Sequence, residues 1–251
     1  MIGVRTMQRL TRVLLAATLL VVVCAVALWV AQRPAFEIRR IELRSASGAL
    51  QHVSAAAVRT ALRGDGRGAL RGGYFTLRLE DARRVFESVP WVAGVSVRRA
   101  WPNRLIVTFT EHRAVGTWGD DRLVSDTGVV FVANAAEAEV DGTLPQFDGP
   151  DRFAPEAVQR FRELSSLLAP LQMAVEVLDV SERASWTLRT DTEQTFELGR
   201  DEPAGRIAQR LSAALAVYPL VVARAKGAPP RIDLRYANGF AVALPASHRT
   251  P

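Results

Sequence analysis

The histidines are the first residues to test for chemistry, because the chain contains only three, His52, His112 and His248. None of them lies at the spacing of a zinc motif, and no GxSxG nucleophile elbow is present. Ser54 and Asp65 lie near His52 and could be imagined as a triad, but a helix cap and a loop explain them more simply. The sequence therefore predicts neither an enzyme nor a metal site.

Two further patterns resemble ligand sites. Gly64, Gly66 and Ala69 fit the loosest form of the dinucleotide fingerprint, but that motif needs a strand before the loop and a helix straight after it. Here a predicted helix precedes the glycines, so we interpret the segment as a connecting loop. Glu137 and Glu139 lie in a polar stretch and are expected to face solvent. We therefore expect no cofactor and no small-molecule substrate.

The composition is that of a folded protein. With 251 residues, 49% of them hydrophobic and 23% charged, the chain can form one large domain or two small ones. The net charge of +6 comes from arginine, since Lys226 is the only lysine. Because these arginines are scattered among acidic residues, they do not favour a nucleic-acid partner. Cys24 is the only cysteine, which excludes an intramolecular disulfide.

The N-terminal region carries a long apolar run. Residues 13–31 contain no charge, and as a helix they would measure about 28 Å, close to the hydrocarbon thickness of a bilayer. The sequence therefore predicts a transmembrane helix over 13–31. Arg5, Arg9 and Arg12 precede the run and Trp29 lies near its far end, so we expect residues 1–12 to form a cytoplasmic tail.

A cleaved signal peptide is the alternative interpretation of this region. Ala25, Val26 and Ala27 offer a small-residue cleavage site. The apolar run is longer than the usual apolar core of a signal peptide, which favours an uncleaved anchor. In either case, everything after residue 32 is expected outside the cytoplasm.

The next segment predicts a strand followed by two helices. Phe36, Ile38, Ile41 and Leu43 give the broken alternation of a half-buried strand. Two short amphipathic helices are then predicted, one capped by Ser54 and carrying AAAVRTALR, and the other opening at Asp81 and ending before Pro90.

The stretch SVPWVAGVSVRRAWPNRLIVTFTEHRAV predicts a β-hairpin. A first strand over 91–99 and a second over 105–111 flank a WPN turn. We expect Trp91 to cover one end of the core and Trp101 to pack over the turn.

The remaining residues predict a second, mostly β region that contains two helices. The helices cover 155–168 and a segment that starts near Pro203. Asn238 and Gly239 form the strongest short hairpin signal in the chain and join its last two strands. The predicted strands of this region are 122–124, 127–131, 144–147, 175–180, 186–190, 195–198, 231–236 and 240–244.

The order strand, helix, helix, strand, strand resembles a POTRA domain, and the spacing PWV, VRR, WP and E resembles the bacterial FtsQ/DivIB cell-division family. The resemblance implies an α+β protein with one N-terminal transmembrane helix (13–31), a β-α-α-β-β POTRA domain (36–112), a second β-rich domain with two helices (113–245) and a C-terminal tail (246–251). The residues that carry the POTRA motif are Pro90, Trp91, Val92, Arg98, Arg99, Trp101, Pro102 and Glu111.

The resemblance also implies a function. Members of this family are expected to do no chemistry; they lie in the inner membrane with a cytoplasmic N-terminus and periplasmic domains, and they act at the division septum. They recruit the partner FtsB, which is joined to FtsL, by pairing an edge strand with it. The positions that match this contact are Arg200, Arg235, Tyr236, Asn238, Gly239, Phe240 and Leu244.

At two of these positions the sequence by itself does not indicate a partner contact. Leu244 stands where many family members carry a tryptophan. Tyr236, judged by its pattern alone, is an ordinary strand residue, and only the resemblance assigns it to a partner contact. Arg200 is expected to anchor an acidic partner residue.

A protein-transport or outer-membrane assembly factor is the alternative function, because POTRA modules also bind extended client segments. Such proteins carry a cleaved signal before the module and a long run of amphipathic strands after it. The chain after Glu111 includes two predicted helices and is too short for that arrangement, which favours the cell-division interpretation.

Overall fold

The computed structural model describes residues 4–31, 36–63, 68, 70, 73–138, 143–225, 227–236 and 239–243. The chain divides into two compact units, Met1–Glu111 and His112–Pro251. Both contain helices and strands, so the protein is mixed α+β, as predicted.

The first helix, α1 (Val4–Ala31), corrects the predicted membrane topology. In the part of the chain that the structure describes, no helix is both long enough and apolar enough to cross a membrane. The transmembrane helix predicted over 13–31 is therefore wrong, and so is the fold class that included it. The prediction treated the apolar run by itself, whereas α1 is one continuous helix that begins within the basic segment preceding that run.

The first unit contains a three-stranded sheet in the order β1-β3-β2. Strand β1 lies parallel to β3, and β2 lies antiparallel to it. The sequence order β-α-α-β-β is the predicted one, but β1 begins at Arg40 instead of Phe36, because Glu37 pairs with Gly73 outside the sheet. The elements are β1 (Arg40–Ser45), α2 (Ala55–Arg63), α3 (Leu79–Glu87), β2 (Val92–Ala100) and β3 (Arg104–Glu111).

Helix α3 covers this sheet with a narrow apolar face. Ala82 and Phe86, four residues apart on the same side of the helix, are fully buried. The Phe86 ring meets Phe109 of β3 edge to face, with 6.0 Å between the ring centroids. Asp81, which was predicted to open the helix, lies within its first turn instead.

The second unit contains a nine-stranded sheet in the order β12-β11-β10-β9-β8-β7-β4-β5-β6. Its helices are α4 (Ala135–Ala138), which the sequence did not predict, α5 (Ala154–Leu168) and α6 (Arg206–Ala225). The strands are β4 (Ala114–Trp118), β5 (Arg122–Ser125), β6 (Val130–Phe131), β7 (Gln146–Asp148), β8 (Val175–Val180), β9 (Trp186–Thr190), β10 (Thr195–Gly199), β11 (Arg231–Asp233) and β12 (Ala241–Ala243).

One core joins the helices α5 and α6 to this sheet. The sheet contributes large aromatic side chains, of which Trp118 and Phe147 stack with 6.3 Å between ring centroids. The helices contribute leucines such as Leu164 and Leu211, which are fully buried against the strands. This apolar layer fixes where α6 begins and therefore where its flanking loops lie.

Helix α6 connects two neighbouring parallel strands. Strand β11 pairs parallel with β10, with Glu197 opposite Asp233. Strand β12 then pairs antiparallel with β11 and ends the sheet order among the described residues. The predicted final hairpin is therefore an antiparallel pair, but β11 ends at Asp233, so Arg235 and Tyr236 lie in the connection and not in a strand.

Candidate functional site

The parallel crossover brings Arg200 and Arg235 to the same end of two adjacent strands. Arg200 follows β10 directly, after a bulge between Glu197 and Gly199. Gly199 has a φ of 73°, and a Cβ atom built on it would lie 3.0 Å from Cγ of Arg235. Glycine adopts this left-handed backbone without steric cost, and a side chain at this position would crowd the stem of Arg235. The local fold therefore lets the stem of Arg235 lie over the bulge beside Arg200.

The two arginines differ in how they are paired. The Arg235 guanidinium donates to Asp233 from Nε at 2.9 Å and from Nη2 at 2.7 Å, and its Nη2 lies 3.2 Å from Oε2 of Glu197. These bonds raise the pKa of Arg235, and its hydrogen bond lowers the pKa of Asp233. Arg200 is exposed and, among the described residues, forms no ion pair. Arg200 is therefore the arginine available to an acidic partner group.

Tyr236 borders a groove of about 700 Å³ between the start of α6 and the last connection. Its side chain is 56% exposed, whereas Phe240 is partly buried and packs against the core. This combination gives the groove a fixed apolar floor and an exposed aromatic edge. The other residues that line the groove are Pro203, Ala204, Gly205, Arg206, Gln209, Arg210, Ala213, Val217, Leu234 and Gly239.

An arginine-rich recess of about 510 Å³ adjoins this groove, since Arg206 and Arg210 line both. Among the described residues that line the recess, Glu202 is the only carboxylate, so the recess suits an acidic group. The five arginines are Arg183, Arg200, Arg206, Arg210 and Arg235, and the remaining lining residues are Ser181, Ser185 and Gly199.

Strand β12 supplies a sheet edge next to these recesses. Ala241 and Ala243 are exposed and Val242 is half-buried. Small side chains leave the backbone donors and acceptors of an edge strand open to a further strand. The structure thus brings Arg200, Arg235, Tyr236, Gly239 and Phe240 around one edge; Asn238 and Leu244 lie outside the described residues.

Glu111 and Trp91 of the POTRA motif have internal partners. The Glu111 carboxylate accepts the backbone N–H groups of Gln51, His52 and Val53 at 2.9, 3.0 and 2.6 Å. Trp91 is buried, and its ring stacks on His52 with 4.0 Å between centroids. Both residues therefore order the segment that leads into α2.

Trp101 differs from its prediction. It is 59% exposed and lies in a ring cluster with Phe36 and Tyr74, at centroid distances of 5.2 and 5.5 Å. Of the two motif arginines, Arg99 donates to the carbonyl of Leu77, whereas Arg98 is exposed. The other motif residues, Pro90, Val92 and Pro102, belong to the same hairpin and its approach.

The sequence analysis missed the residues that hold the backbone at and next to Arg200. Arg210 of α6 donates to the carbonyl oxygens of Leu198 and Arg200, at 2.6 and 3.0 Å. Asp201 lies ahead of α6, which begins at Arg206, but not at the N-cap position that a sequence pattern can identify. Arg160 is buried in α5 and gave no signal, because arginines on helices are usually exposed. Within the described residues, no group of three His, Cys, Asp or Glu side chains is placed to hold a metal ion.

Comparison with known proteins identifies the family. The profile of "POTRA domain, FtsQ-type" matches residues 36–112, and that of "Cell division protein FtsQ/DivIB, C-terminal" matches residues 116–235.

Relatives that carry the name cell division protein FtsQ include those of three bacteria. That of Burkholderia pseudomallei is 40% identical over 240 residues, covering 96% of this chain and 92% of the relative. That of Bordetella pertussis is 36% identical over 253 aligned residues, covering 96% and 91%. That of Nitrosospira multiformis is 34% identical over 215 residues, covering 85% and 86%. The resemblance predicted from the sequence is confirmed, and the chain belongs to the FtsQ/DivIB family of cell division proteins.

Proposed function

We propose that this chain is a non-enzymatic scaffold of the division septum that recruits FtsB and FtsL through the edge of its second unit. One observation carries the proposal: the edge strand β12 and the exposed Tyr236 lie at a groove that adjoins the recess of Arg200, which forms no ion pair among the described residues. Family membership supports a role in cell division, and the geometry supports a protein partner.

The proposed contact uses three kinds of interaction. A segment of FtsB adds to β12 through backbone hydrogen bonds, which supply affinity without selecting a sequence. Tyr236 and Phe240 accept an apolar side chain in the groove, and Arg200 pairs with a carboxylate. The side-chain contacts select the partner, because a segment without an apolar and an acidic residue would leave the groove unfilled and Arg200 unpaired.

We further propose that the POTRA unit meets upstream division proteins, so that the chain links them to FtsB and FtsL and helps to control septal wall synthesis. Strand β2 is an edge of the three-stranded sheet. Arg98 is exposed on this strand, whereas the Arg99 guanidinium donates a hydrogen bond to the carbonyl oxygen of Leu77. Arg98 is therefore the motif arginine that we assign to this contact.

Site-specific photo-crosslinking in growing cells tests the recruiting edge. A photoreactive residue replaces Tyr236, and mass spectrometry identifies the adducts. The matched control places the same residue at Val132, which is 68% exposed and follows β6 at the opposite end of the sheet order. We expect FtsB or FtsL to be captured from position 236 and not from 132. If a folded, abundant variant captures neither protein from 236, this edge is not the recruiting surface.

A further inference from the structure

A nearly buried guanidinium lies behind the proposed binding edge. Arg160 of α5 is 7% exposed, and its guanidinium carbon lies 4.9 Å from the centroid of the Trp186 ring. Its Nη2 atom donates to Oε1 of Glu156 at 2.8 Å and to Oδ2 of Asp201 at 3.0 Å. A buried charge needs such partners, because desolvation strongly disfavours an unpaired guanidinium.

Asp201, which binds Arg160, also binds the backbone at the start of α6. Its Oδ1 accepts the backbone N–H of Ile207 at 2.9 Å, and its Oδ2 accepts that of Gly205 at 3.1 Å. Burial raises the pKa of Asp201, but the two backbone N–H groups and Arg160 outweigh burial, so its pKa lies below the ordinary value. One carboxylate therefore joins α5, the first turn of α6 and the loop between β10 and α6.

That loop, residues 200–205, carries the proposed contact. Arg200 begins it, and Pro203, Ala204 and Gly205 line the groove beside Tyr236. The loop is held at two adjacent points, by Arg210 at the carbonyl of Arg200 and by the carboxylate of Asp201. A binding loop held in this way loses less conformational entropy when a partner docks.

We infer that Arg160 is a positioning residue for partner binding. Arg160 and Asp201, here called the clasp, fix the backbone next to Arg200, so the side chain of Arg200 projects from a defined point toward an acidic partner group. Arg160 itself is not a partner contact, because it is buried. This inference rests on the proposed function, since it assigns a role to the support of Arg200.

The experiment measures the Kd of the full chain for the purified FtsB–FtsL complex of the same bacterium. Arg160→Met removes the guanidinium but keeps a long apolar side chain against Trp186. We expect its Kd to rise about tenfold, because residues in one ion-pair network typically have interaction energies that correspond to a change in Kd of about this size. Combined with Arg200→Ala, it should cause little loss beyond that of Arg200→Ala alone, because both changes remove the same interaction.

Controls separate positioning from stability. Leu123→Ala removes a fully buried side chain from β5, toward the opposite end of the sheet order. It should lower the melting temperature without changing Kd. Asp201→Asn is a second clasp variant that keeps the shape of the side chain if Arg160→Met does not fold. Amide hydrogen exchange over 200–205 should accelerate in both clasp variants and not in Leu123→Ala.

The outcomes distinguish the inference from the function on which it rests. If Arg200→Ala leaves Kd unchanged, the proposed contact and the inference both fail. If Arg200→Ala weakens binding while folded clasp variants bind like the wild type, only the inference fails. Fully additive losses in the double variant would also overturn it, because Arg160 would then act independently of Arg200.

Discussion

Glu111 in the first unit and Asp201 in the second both accept backbone N–H groups with a carboxylate, but their surroundings differ. Each carboxylate accepts backbone N–H groups near the start of a helix, Glu111 from residues 51–53 ahead of α2, and Asp201 from Gly205 just before α6 and from Ile207 in its first turn. Among the described residues, Glu111 has no cationic partner, whereas Asp201 is bound to the buried Arg160. A carboxylate that only orders backbone stabilises its own unit, whereas one bound to a second helix also ties that helix to a surface loop.

Replacing Asp201 should give the largest effect in this comparison. Asp201→Ala leaves Arg160 without one carboxylate and the start of α6 without its acceptor. We expect the free energy of unfolding of the second unit to fall by about 3 kcal/mol, as for other broken buried pairs. Urea unfolding followed by hydrogen exchange of α6 measures this change.

The pH dependence checks the same prediction. The folded-state pKa of Asp201 is lowered, so its stabilisation is present at neutral pH and is lost as the pH falls through that pKa. The advantage of the wild type over Asp201→Ala should therefore shrink in acid. An advantage that stays constant with pH would show that the charge of Asp201 contributes nothing.

Replacing Glu111 should have a smaller effect, because no buried cation is left behind. Glu111→Ala should destabilise the first unit by about 2 kcal/mol, since water replaces part of what the three N–H groups lose. Hydrogen exchange at residues 51–53 should accelerate strongly. Glu42→Gln is the matched control, because the partners of the Glu42 carboxylate among the described residues are the side chains of Arg44 and Arg104. Equal acceleration in both variants would contradict the role given to Glu111.

Asp179 extends the comparison, because burial and a like charge outweigh the nearby charge of Arg189. It lies opposite Asp148 in the register of β7 and β8. Burial and then the charge of Asp148 raise the pKa of Asp179. Asp179→Asn should therefore stabilise the second unit at neutral pH by about 0.2–1 kcal/mol, the range of cross-strand pairs.

The sign of this effect is opposite to that at Asp201. A raised pKa means that the folded state holds the proton more tightly, so the wild type regains stability as the pH falls through the folded-state pKa. The advantage of Asp179→Asn should disappear in acid. Melting curves at neutral and acidic pH measure it, and a destabilised variant at neutral pH would contradict the prediction.

The sequence predicted the elements that depend on local pattern. The spacing of Ala82 and Phe86 predicts a helix, and the alternation on either side of the WPN turn predicts the hairpin of β2 and β3. The parallel pairing of β10 with β11 was not predictable in this way, because the long helix α6 separates the two strands and local periodicity carries no information on distant pairing. The predicted transmembrane helix failed because it was inferred from the uncharged run 13–31 by itself, whereas α1 is one helix over Val4–Ala31.

The candidate site was only partly predictable. Family resemblance pointed to Arg200, Arg235 and Tyr236, and the structure brings them to one edge of the sheet. The resemblance could not show that Arg235 is bound to Asp233 whereas Arg200 forms no ion pair among the described residues, because ion pairing depends on where strands meet. Arg160 was undetectable, since only the packing of α5 buries it.

The parallel crossover from β10 through α6 to β11 has an evolutionary consequence. Both arginines follow the carboxyl ends of adjacent strands, on segments outside the regular elements that the core fixes. Segments in that position can change in length and side chain without disturbing the sheet beneath them. Under the proposed function, relatives can therefore differ in the partner sequence they accept while keeping one scaffold, and exchanging Arg200 and residues 202–205 between two of them, with Asp201 kept, should exchange partner preference.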